Sequence, residues 1–336
     1  MGIRILKGGM LTTVQDLGRA GYQSQGFSVA GVMDVRSFKI ANLLLDNPEN
    51  EAVLEFSLIG PTLEFTSISI IAITGGDFQP TVNGEPVEMY RALYMKKGDI
   101  LKFGSARTGS RGYVAFGSYL DIPVVMGSRS TNLKSRQGGF KGRKLQAGDY
   151  IHFRKKCQYL PFFLSRSLNL DEFDQQEAEL RVVMGPQDDH FSKQGIETFL
   201  NSEYVVTSDF DRMGCRLDGP FIAPKETSDI ISDGIAFGSV QVPSHGKPIV
   251  LLADRQTTGG YAKIATVISV DIPKLVQRKT DHRIRFRAVT VEEAQQLYME
   301  EIRELDHMRE LIHRPCKEVL ECRLAAKRLS KLFEEH

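Results

Sequence analysis

The sequence has no long apolar segment and no excess of charge of either sign. Its longest apolar run, residues 68–74, is too short to cross a bilayer, and its first residues form no signal-peptide pattern. The 43 basic and 42 acidic residues nearly cancel, which argues against a general nucleic-acid or membrane-surface role. From these absences we expect a soluble, cytoplasmic protein that binds neither nucleic acid nor membrane.

Cysteine is scarce, and its spacing excludes the common cysteine motifs. No CxxC pair occurs, and no histidine lies at a zinc-finger spacing from any of the four cysteines, Cys157, Cys215, Cys316 and Cys322. We therefore predict reduced thiols and no metal site. Cys215 lies in a polar segment of interest, but no histidine close in sequence could activate it as a nucleophile.

Short apolar runs separated by glycine turns fill the first half of the chain. Five of them have the length and the β-branched or aromatic content of strands, at 52–56, 62–65, 67–73, 100–103 and 113–116. Turn pairs such as Asn83-Gly84 separate these runs. One helix is predicted at 34–45, with Asp34 as its cap. This pattern predicts an N-terminal β-barrel-like domain over residues 1–155.

The rest of the chain divides into three parts. An acidic, amide-rich stretch at 156–179 is predicted to be an exposed linker, and a second β-rich block follows at 180–289. Residues 290–336 contain no glycine and have apolar residues at helical spacing, interrupted at Pro315. We predict that this tail is a helical hairpin, packed either on the body of the protein or on another subunit.

A basic, glycine-rich segment spans residues 127–144. It holds six basic residues, four glycines and no acid. Backbone amides, hydroxyls and cations in such a segment suit an anion such as phosphate, carboxylate or bicarbonate. The segment is not a Walker loop, because no GxxxxGK[ST] pattern occurs. A solvated basic loop is the alternative interpretation.

Polar residues follow the apolar strand that ends near Ala253. The run DRQTTGGY at 254–261 places many hydrogen-bonding groups at the mouth of a buried strand pair, which is costly unless they bind something. A hydrogen-bonded structural turn is the alternative. In the preceding strand, Ser239 and Gln241 alternate with valines and therefore share a face. If that face meets solvent, they carry no functional meaning.

An acid and two arginines flank a glycine turn at 211–216. The forked guanidinium of Arg212 or Arg216 could bind a carboxylate. Alternatively, Asp211 and Arg212 form an ion pair that only holds the loop.

Several of these segments together resemble one family. They are TVQDLGRAGY at 13–22, AGVMD at 30–34, AN at 41–42, LE at 54–55, GP at 60–61, SDFDRMG at 208–214, GSVQVP at 238–243 and DRQTTGGY at 254–261. In this order they resemble the biotin-dependent carboxyltransferase-like family, also called the KipA or allophanate hydrolase subunit 2 family. The resemblance covers about residues 3–289. It implies a mainly β fold with two cyclophilin-like β-barrel domains, to which this chain adds a C-terminal helical tail.

The resemblance implies three functions. In the first, the chain is one component of an ATP-dependent 5-oxoprolinase, which opens 5-oxo-L-proline to L-glutamate with a KipI-type and a LamB/YcsF-type partner. The substrate is then a small amide, ATP is shared with the complex, and the chain is inactive without its partners. The second is a carboxyltransferase of the urea carboxylase type, with biotin on another chain because no Met-Lys-Met segment occurs here. The third is a non-catalytic regulator that binds a KipI-type kinase inhibitor, and homo-oligomer formation is a further option.

Matching motif to motif, the resemblance implies two sets of site residues. The catalytic set is Asp254, Arg255, Gln256, Thr257, Tyr261, Gln241 and Ser239. The set that binds substrate or an anion is Arg19, Asp34, Asn42, Arg143, Asp211 and Arg212. In our assignment of roles, Arg255 or Arg212 holds a carboxylate or phosphate oxygen. Gln256 and Thr257 bond the amide, and Asp254 orients Arg255 or moves a proton.

The chain departs from the family pattern in three places. Residues 30–34 read AGVMD where SGAMD is expected, and residues 280–282 read TDH where PGD is usual. The tail beyond Val289 is longer and more helical than the resemblance explains. We expect these departures to affect substrate choice and assembly more than the fold.

Overall fold

A computed structural model of the protein describes residues 1–170, 173 and 175–314. The predicted helix break at Pro315 and the cysteines Cys316 and Cys322 lie outside these residues. Within them the chain is mainly β, as predicted, and carries one long helix near its C-terminal end. No helix in this described part is both long enough and apolar enough to cross a membrane.

Eleven strands build two antiparallel sheets from the first half of the chain. The first sheet has the order β11-β1-β4-β9-β6-β7 and the second β2-β3-β10-β5-β8. The strands are β1 (Gly2–Lys7), β2 (Leu11–Gln15), β3 (Val53–Ser57), β4 (Thr62–Phe65), β5 (Ser69–Gly75), β6 (Thr81–Val82), β7 (Glu85–Pro86), β8 (Ala92–Met95), β9 (Ile100–Lys102), β10 (Arg111–Phe116) and β11 (Tyr150–His152). Both central positions of the Asn83-Gly84 turn have positive φ, as a two-residue hairpin requires.

The two sheets enclose one apolar core. Alternate residues along each strand point into it, for example Ile3 and Ile5 from β1 and Leu54 and Phe56 from β3. The predicted helix is also present, as α1 (Val35–Leu43). Its cap is the predicted one, because a side-chain oxygen of Asp34 accepts a hydrogen bond from the Ser37 amide at 2.9 Å.

Residues 154–170 pack against the first half of the chain. The Arg166 side chain is buried and donates to the Leu44 carbonyl at 3.1 Å and to the Asp46 carboxylate. Leu160 packs in the same apolar cluster as α1. The C-terminal part of the stretch predicted as an exposed linker also contains the start of the next strand, at Glu177.

The second β-rich block forms a closed seven-stranded barrel. Its order is β12-β19-β16-β17-β14-β13-β20, closed by a parallel pairing of β20 with β12. The elements of this block are β12 (Glu177–Met184), α2 (Lys193–Asn201), β13 (Glu203–Phe210), β14 (Gly214–Asp218), β15 (Asp229–Gly234), β16 (Ser239–Gln241), β17 (Ile249–Leu251), β18 (Thr258–Tyr261), β19 (Lys263–Val267), α3 (Ile272–Val276) and β20 (Arg283–Ala288). Strands β15 and β18 pair outside the barrel as a two-stranded ribbon.

The barrel core contains Cys215 and Met33. Cys215 is fully buried there, and burial raises the pKa of its thiol, so that it packs as a core side chain. Met33, from the first half of the chain, belongs to the same core cluster. The segment that precedes α1 therefore crosses to the barrel and joins the two halves.

The described part of the tail is one helix, α4 (Val291–Ile312). Its cap is Thr290, whose hydroxyl accepts a hydrogen bond from the Glu293 amide at 3.1 Å. The C-terminal half packs on the body, since Leu305, Met308 and Ile312 share an apolar cluster with α1. The tail was predicted to pack either on the body of the protein or on another subunit. Its described part packs on the body.

A buried carboxylate fastens α3 to β12. Asp271 is fully buried and accepts bonds from Arg181 Nε at 2.8 Å and Nη2 at 2.6 Å, and it pairs with Lys274 at 2.8 Å. Burial alone would raise the pKa of Asp271, but the bonds from Arg181 and Lys274 lower it. The charged form is therefore favoured in the folded state.

Replacing Asp271 by asparagine is expected to lower the free energy of unfolding at pH 7 by about 3 kcal/mol, because Arg181 loses its partner. The pKa of Asp271 is lower in the folded state than in the unfolded state, where it is about 4, so the charged carboxylate stabilises the folded state above about pH 4. This contribution disappears as the pH falls through the folded-state pKa. The difference between wild type and Asp271→Asn should thus shrink at pH 3. Urea denaturation at both pH values measures it, and an unchanged difference would contradict the assignment.

Candidate functional site

A buried arginine lies where the barrel meets the two sheets. The turn between β13 and β14 places Arg212 there, since Asp211 accepts bonds from the Met213 amide at 2.7 Å and the Gly214 amide at 3.1 Å. Arg212 is 4% exposed and binds both oxygens of Asp254, from Nε at 3.0 Å and from Nη2 at 3.1 Å. Its Nη1 donates to the carboxylate of Glu55. One cation thus joins carboxylates from both halves of the chain.

A chain of hydrogen bonds continues from Glu55 into the first half. The second oxygen of Glu55 accepts bonds from the Met33 amide at 2.8 Å and the Tyr113 hydroxyl at 2.9 Å. Burial and the nearby carboxylates of Glu55 and Asp34 raise the pKa of Tyr113 well above its ordinary value. The Tyr113 hydroxyl therefore stays protonated, and its oxygen accepts a bond from the Asp34 amide at 2.9 Å.

Asp34 carries the network back to the barrel. Its carboxylate accepts a bond from Gln277 Nε2 at 2.8 Å, and Gln277 Oε1 accepts from the amides of Ser110 at 3.0 Å and Arg111 at 2.9 Å. Burial raises the pKa of Asp34, although the hydrogen bonds from Gln277 and Ser37 act in the opposite direction. A continuous buried polar network therefore holds the two halves together, and Asp34 lies in it rather than in an open cleft.

Arg255 is a buried cation without a carboxylate partner among the described residues. Its Nε donates to the Ile235 carbonyl at 3.1 Å and its Nη1 to the Leu252 carbonyl at 3.2 Å, and the guanidinium lies 5.6 Å from the centre of the Phe237 ring. Burial lowers the pKa of Arg255 to about 10, so it remains charged at neutral pH. The Ser28 hydroxyl, from the first half, donates to the Arg255 carbonyl at 2.7 Å.

The other residues of 254–261 lie beside the predicted strand face. Gln241 is 3% exposed, and its Nε2 donates to the Tyr261 carbonyl at 3.3 Å. A Cβ at Gly259 would lie 2.7 Å from Gln241 Nε2 and 3.5 Å from Gln256 Nε2, so glycine allows these two amides to converge. Gln256 and Tyr261 are exposed.

Two further residues of the predicted catalytic set complete this group. Ser239, two residues before Gln241 on the same strand, is buried, so the face that these residues share is not a solvent face. The backbone carbonyl of Thr257 accepts a hydrogen bond from the Ile235 amide at 3.0 Å.

Arg19 brings the basic loop, residues 127–144, to the same region. Its Nη2 donates to the Ser130 carbonyl within that loop. Asp16 fastens the loop further, accepting bonds from the Ser128 hydroxyl and the Arg129 amide, both at 2.6 Å. Burial lowers the pKa of Arg19, while the nearby charges of Asp16 and Asp254 act in the opposite direction. The Arg19 amide donates to the Val29 carbonyl at 2.8 Å, next to Ser28, whose hydroxyl bonds to the Arg255 carbonyl.

Two residues of the predicted anion-binding set lie outside this group. Asn42 donates to the Glu51 carbonyl and accepts from Asn47 Nδ2, both at 2.9 Å, and so holds the loop after α1. Arg143 binds both oxygens of Asp149 at 2.7 Å. Both side chains already have local structural partners.

Sequence reasoning missed four members of this region. Glu55, Tyr113 and Gln277 belong to the buried network, and Lys263 is 2% exposed with its Nζ 3.1 Å from the Asp233 carboxylate. Two signals pointed to Glu55, an acid inside the apolar run 52–56 and the LE motif at 54–55, but neither was assigned to the site. Gln277 had no such signal. Across residues 1–170, 173 and 175–314, no cluster of three or more His, Cys, Asp or Glu side chains is placed to hold a metal ion.

The arrangement defines the class of protein. A sequence profile of the carboxyltransferase domain, subdomains A and B, matches residues 25–288. The chain therefore belongs to the carboxyltransferase domain family, and the resemblance drawn from its motifs is confirmed.

Two relatives match almost from end to end, and both are the C component of a 5-oxoprolinase. The one from Escherichia coli is 34% identical over 313 residues, which cover 89% of this chain and 97% of that protein. The one from Haemophilus influenzae is 34% identical over 300 residues, covering 89% of this chain and 95% of that protein.

A solved structure shows the same fold. The urea carboxylase of Kluyveromyces lactis superposes on 91% of this chain with a TM-score of 0.84 and 28% sequence identity. This match takes up 29% of that chain, so the protein corresponds to one part of a much longer enzyme. The predicted fold class is confirmed.

Proposed function

We propose that the chain is one component of an ATP-dependent 5-oxoprolinase, which opens 5-oxo-L-proline to L-glutamate. One observation carries the proposal: two relatives named as the C component of 5-oxoprolinase align with this chain over 95% and 97% of their own length. The urea carboxylase match, by contrast, covers less than a third of its chain. The name of the relatives also supports a multisubunit enzyme.

The geometry around residues 254–261 supports chemistry on an amide. An unstrained lactam resists hydrolysis. ATP can activate it when the amide oxygen attacks the γ-phosphorus and ADP leaves. Water then adds at the carbon, the C–N bond breaks as the nitrogen takes up a proton, and a second water releases inorganic phosphate from the resulting acyl phosphate. Negative charge builds up on the transferred oxygens, which favours a nearby cation. Arg255 supplies a cation that has no carboxylate partner within the described residues, and the exposed amide of Gln256 can bond the lactam.

Asp254 has a positioning role in this proposal. Its two oxygens are both bonded to Arg212, and its amide donates to the Arg212 carbonyl at 2.8 Å. This arrangement fixes the backbone from which Arg255 and Gln256 project. Of the two roles considered for Asp254, orienting Arg255 or moving a proton, this arrangement supports the orienting role.

ATP and the partner proteins are parts of the same proposal. Lys134, Arg136 and Lys141 of the basic loop are exposed, and such cations fit the phosphates of ATP. The partners that the family resemblance implies are a KipI-type protein and a LamB/YcsF-type protein. With them, Gln256 and Tyr261 would be covered, since both face solvent in this chain.

The test is reconstitution. The purified chain, mixed with its KipI-type and LamB/YcsF-type partners, is expected to release ADP and L-glutamate when both ATP and 5-oxo-L-proline are present. Controls omit each protein and the lactam in turn, and omission of any of them should abolish glutamate formation. Failure of the complete mixture to form glutamate would refute the proposal.

The structural match favours a second candidate, a carboxyltransferase of the urea carboxylase type. Biotin would then be carried on another chain. The observable is loss of the carboxyl group from free carboxybiotin in the presence of urea or another amide. If no amide accelerates this loss, the second candidate fails.

A further inference from the structure

Three arginines near residues 254–261 could bind an anion, and their hydrogen bonds distinguish them. Arg212 is saturated: it binds Asp254 through two nitrogens, Glu55 through the third, and the Gly31 carbonyl as well. A ligand anion would have to displace one of two buried carboxylates. This cation is therefore occupied by the protein itself.

Arg255 is partly occupied. Two of its nitrogens donate to the carbonyls of Ile235 and Leu252, and its guanidinium lies over Phe237. These bonds fix its guanidinium, which the proposed function places beside the lactam.

Arg19 differs from both. It is 1% exposed, and only its Nη2 has a hydrogen-bond acceptor, the Ser130 carbonyl. Its Nε and Nη1 are buried and have no partner within the described part of the chain. Asp16 does not fill this gap, because its oxygens accept instead from Ser128, Arg129 and Ser130. Buried donors without acceptors are costly, so the Nε–H and Nη1–H groups are available to an acceptor.

Arg111 is the nearest competitor. It is also buried, and its Nε is one fully buried nitrogen without a partner among the described residues; its guanidinium lies 5.2 Å from the Phe210 ring centre. Its backbone amide and carbonyl are both bonded to Gln277 within the network that joins the two halves. Among these four arginines, only Arg19 has two fully buried nitrogens without a hydrogen-bond partner in the described part of the chain.

We propose that Arg19 binds the carboxylate of the lactam substrate through its two unpaired nitrogens, Nε and Nη1. This assignment rests on the proposed function. A fork of Nε–H and Nη–H bonds matches the two oxygens of a carboxylate. It separates two tasks: Arg19 recognises the carboxylate of 5-oxo-L-proline, while residues 254–261 act on its amide.

The surrounding charge favours a carboxylate over the phosphates of ATP. Asp16 and Asp254 both lie close enough to Arg19 to influence its charge. Two neighbouring carboxylates repel a multiply charged triphosphate more strongly than a group with a single charge. Arg19 is therefore assigned to the lactam, and the exposed cations of the basic loop to ATP.

Access to Arg19 requires the basic loop to move. Gly138 covers the guanidinium so closely that a Cβ there would collide with Arg19 Nη2 and the Ser130 carbonyl. Its φ of +63° is also unfavourable for other residues. Glycine at position 138 therefore allows the basic loop to pack directly against Arg19.

The test compares Arg19→Gln and Arg19→Lys with wild type in the reconstituted complex. For Arg19→Gln we expect the KM for 5-oxo-L-proline to rise about 100-fold. The inhibition constant of the neutral 5-oxoprolinamide should change less than about threefold, and so should the KM for ATP. Arg19→Lys keeps the charge without the fork and should give an intermediate KM. It also replaces Arg19→Gln if that variant does not fold.

A matched control is Arg154→Gln, because Arg154 already donates to both oxygens of Glu51 at 2.6 Å. Its kinetic constants should equal those of wild type. Equal losses of acid and carboxamide binding in the Arg19 variants would overturn the assignment, and so would a raised KM for ATP or unchanged constants. Absence of glutamate with the wild-type complex would instead defeat the proposed function.

Discussion

Replacing Arg212 by leucine is expected to lower the free energy of unfolding by about 4 kcal/mol, because two buried carboxylates lose the cation that they share. Glu55 and Asp254 are 3% and 5% exposed, so water cannot replace that cation. The loss also breaks the contact between β3 of the first half and the turn that precedes β14 in the barrel.

Urea denaturation of the purified chain measures this effect. A matched control is Arg287→Leu, since Arg287 pairs with Glu179 at 2.9 Å but is 45% exposed, and it should cost less than about 1 kcal/mol. Adding Asp254→Asn to Arg212→Leu should recover part of the loss, because one unpaired buried charge disappears. Equal losses from the two arginine variants would show that Arg212 is not the cation that links the halves.

Replacing Asp254 by asparagine is expected to lower kcat/KM for 5-oxo-L-proline by about 100-fold, because small displacements of reacting groups have effects of that size. The variant loses the carboxylate that binds both Nε and Nη2 of Arg212. The segment that carries Arg255 and Gln256 then loses its anchor. The reconstituted glutamate assay measures the loss.

The control for this variant is Asp209→Asn, at the end of β13. Asp209 makes only a 3.5 Å ion pair with Arg216, and both side chains are more than half exposed. Its kcat/KM should stay within about threefold of wild type. A similar loss in both variants, or full activity of Asp254→Asn, would refute the positioning role of Asp254.

Local patterns in the sequence predicted much of the fold because they reflect local physics. The apolar runs 52–56 and 62–65 lie at strands Val53–Ser57 and Thr62–Phe65, as their length and composition predicted. Asp34 caps α1 because a helix start needs an acceptor for its free amides. The glycine-free tail is helical over Val291–Ile312. The packing of residues 154–170 against α1 had no comparable signal, since it depends on Arg166 reaching the Leu44 carbonyl.

The site was only partly predictable. The run 254–261 was recognised because polar groups are concentrated where a strand ends, and the structure places Gln241 beside it. Asn42 and Arg143 were assigned to the site by motif, but each has a local structural partner. A motif marks which residue occurs at a position, not whether its hydrogen bonds are already used.

By itself the sequence determined the family, the mainly β class and the polar run at 254–261, because each is a property of neighbouring residues. Only the tertiary structure decided which charges are occupied and which are free. Arg212 meets Asp254 across 42 residues and Glu55 across 157, and no local pattern records such distances. Buried polar groups are paired by whichever segments the fold brings together, and within the described residues this pairing leaves two buried nitrogens of Arg19 without a partner.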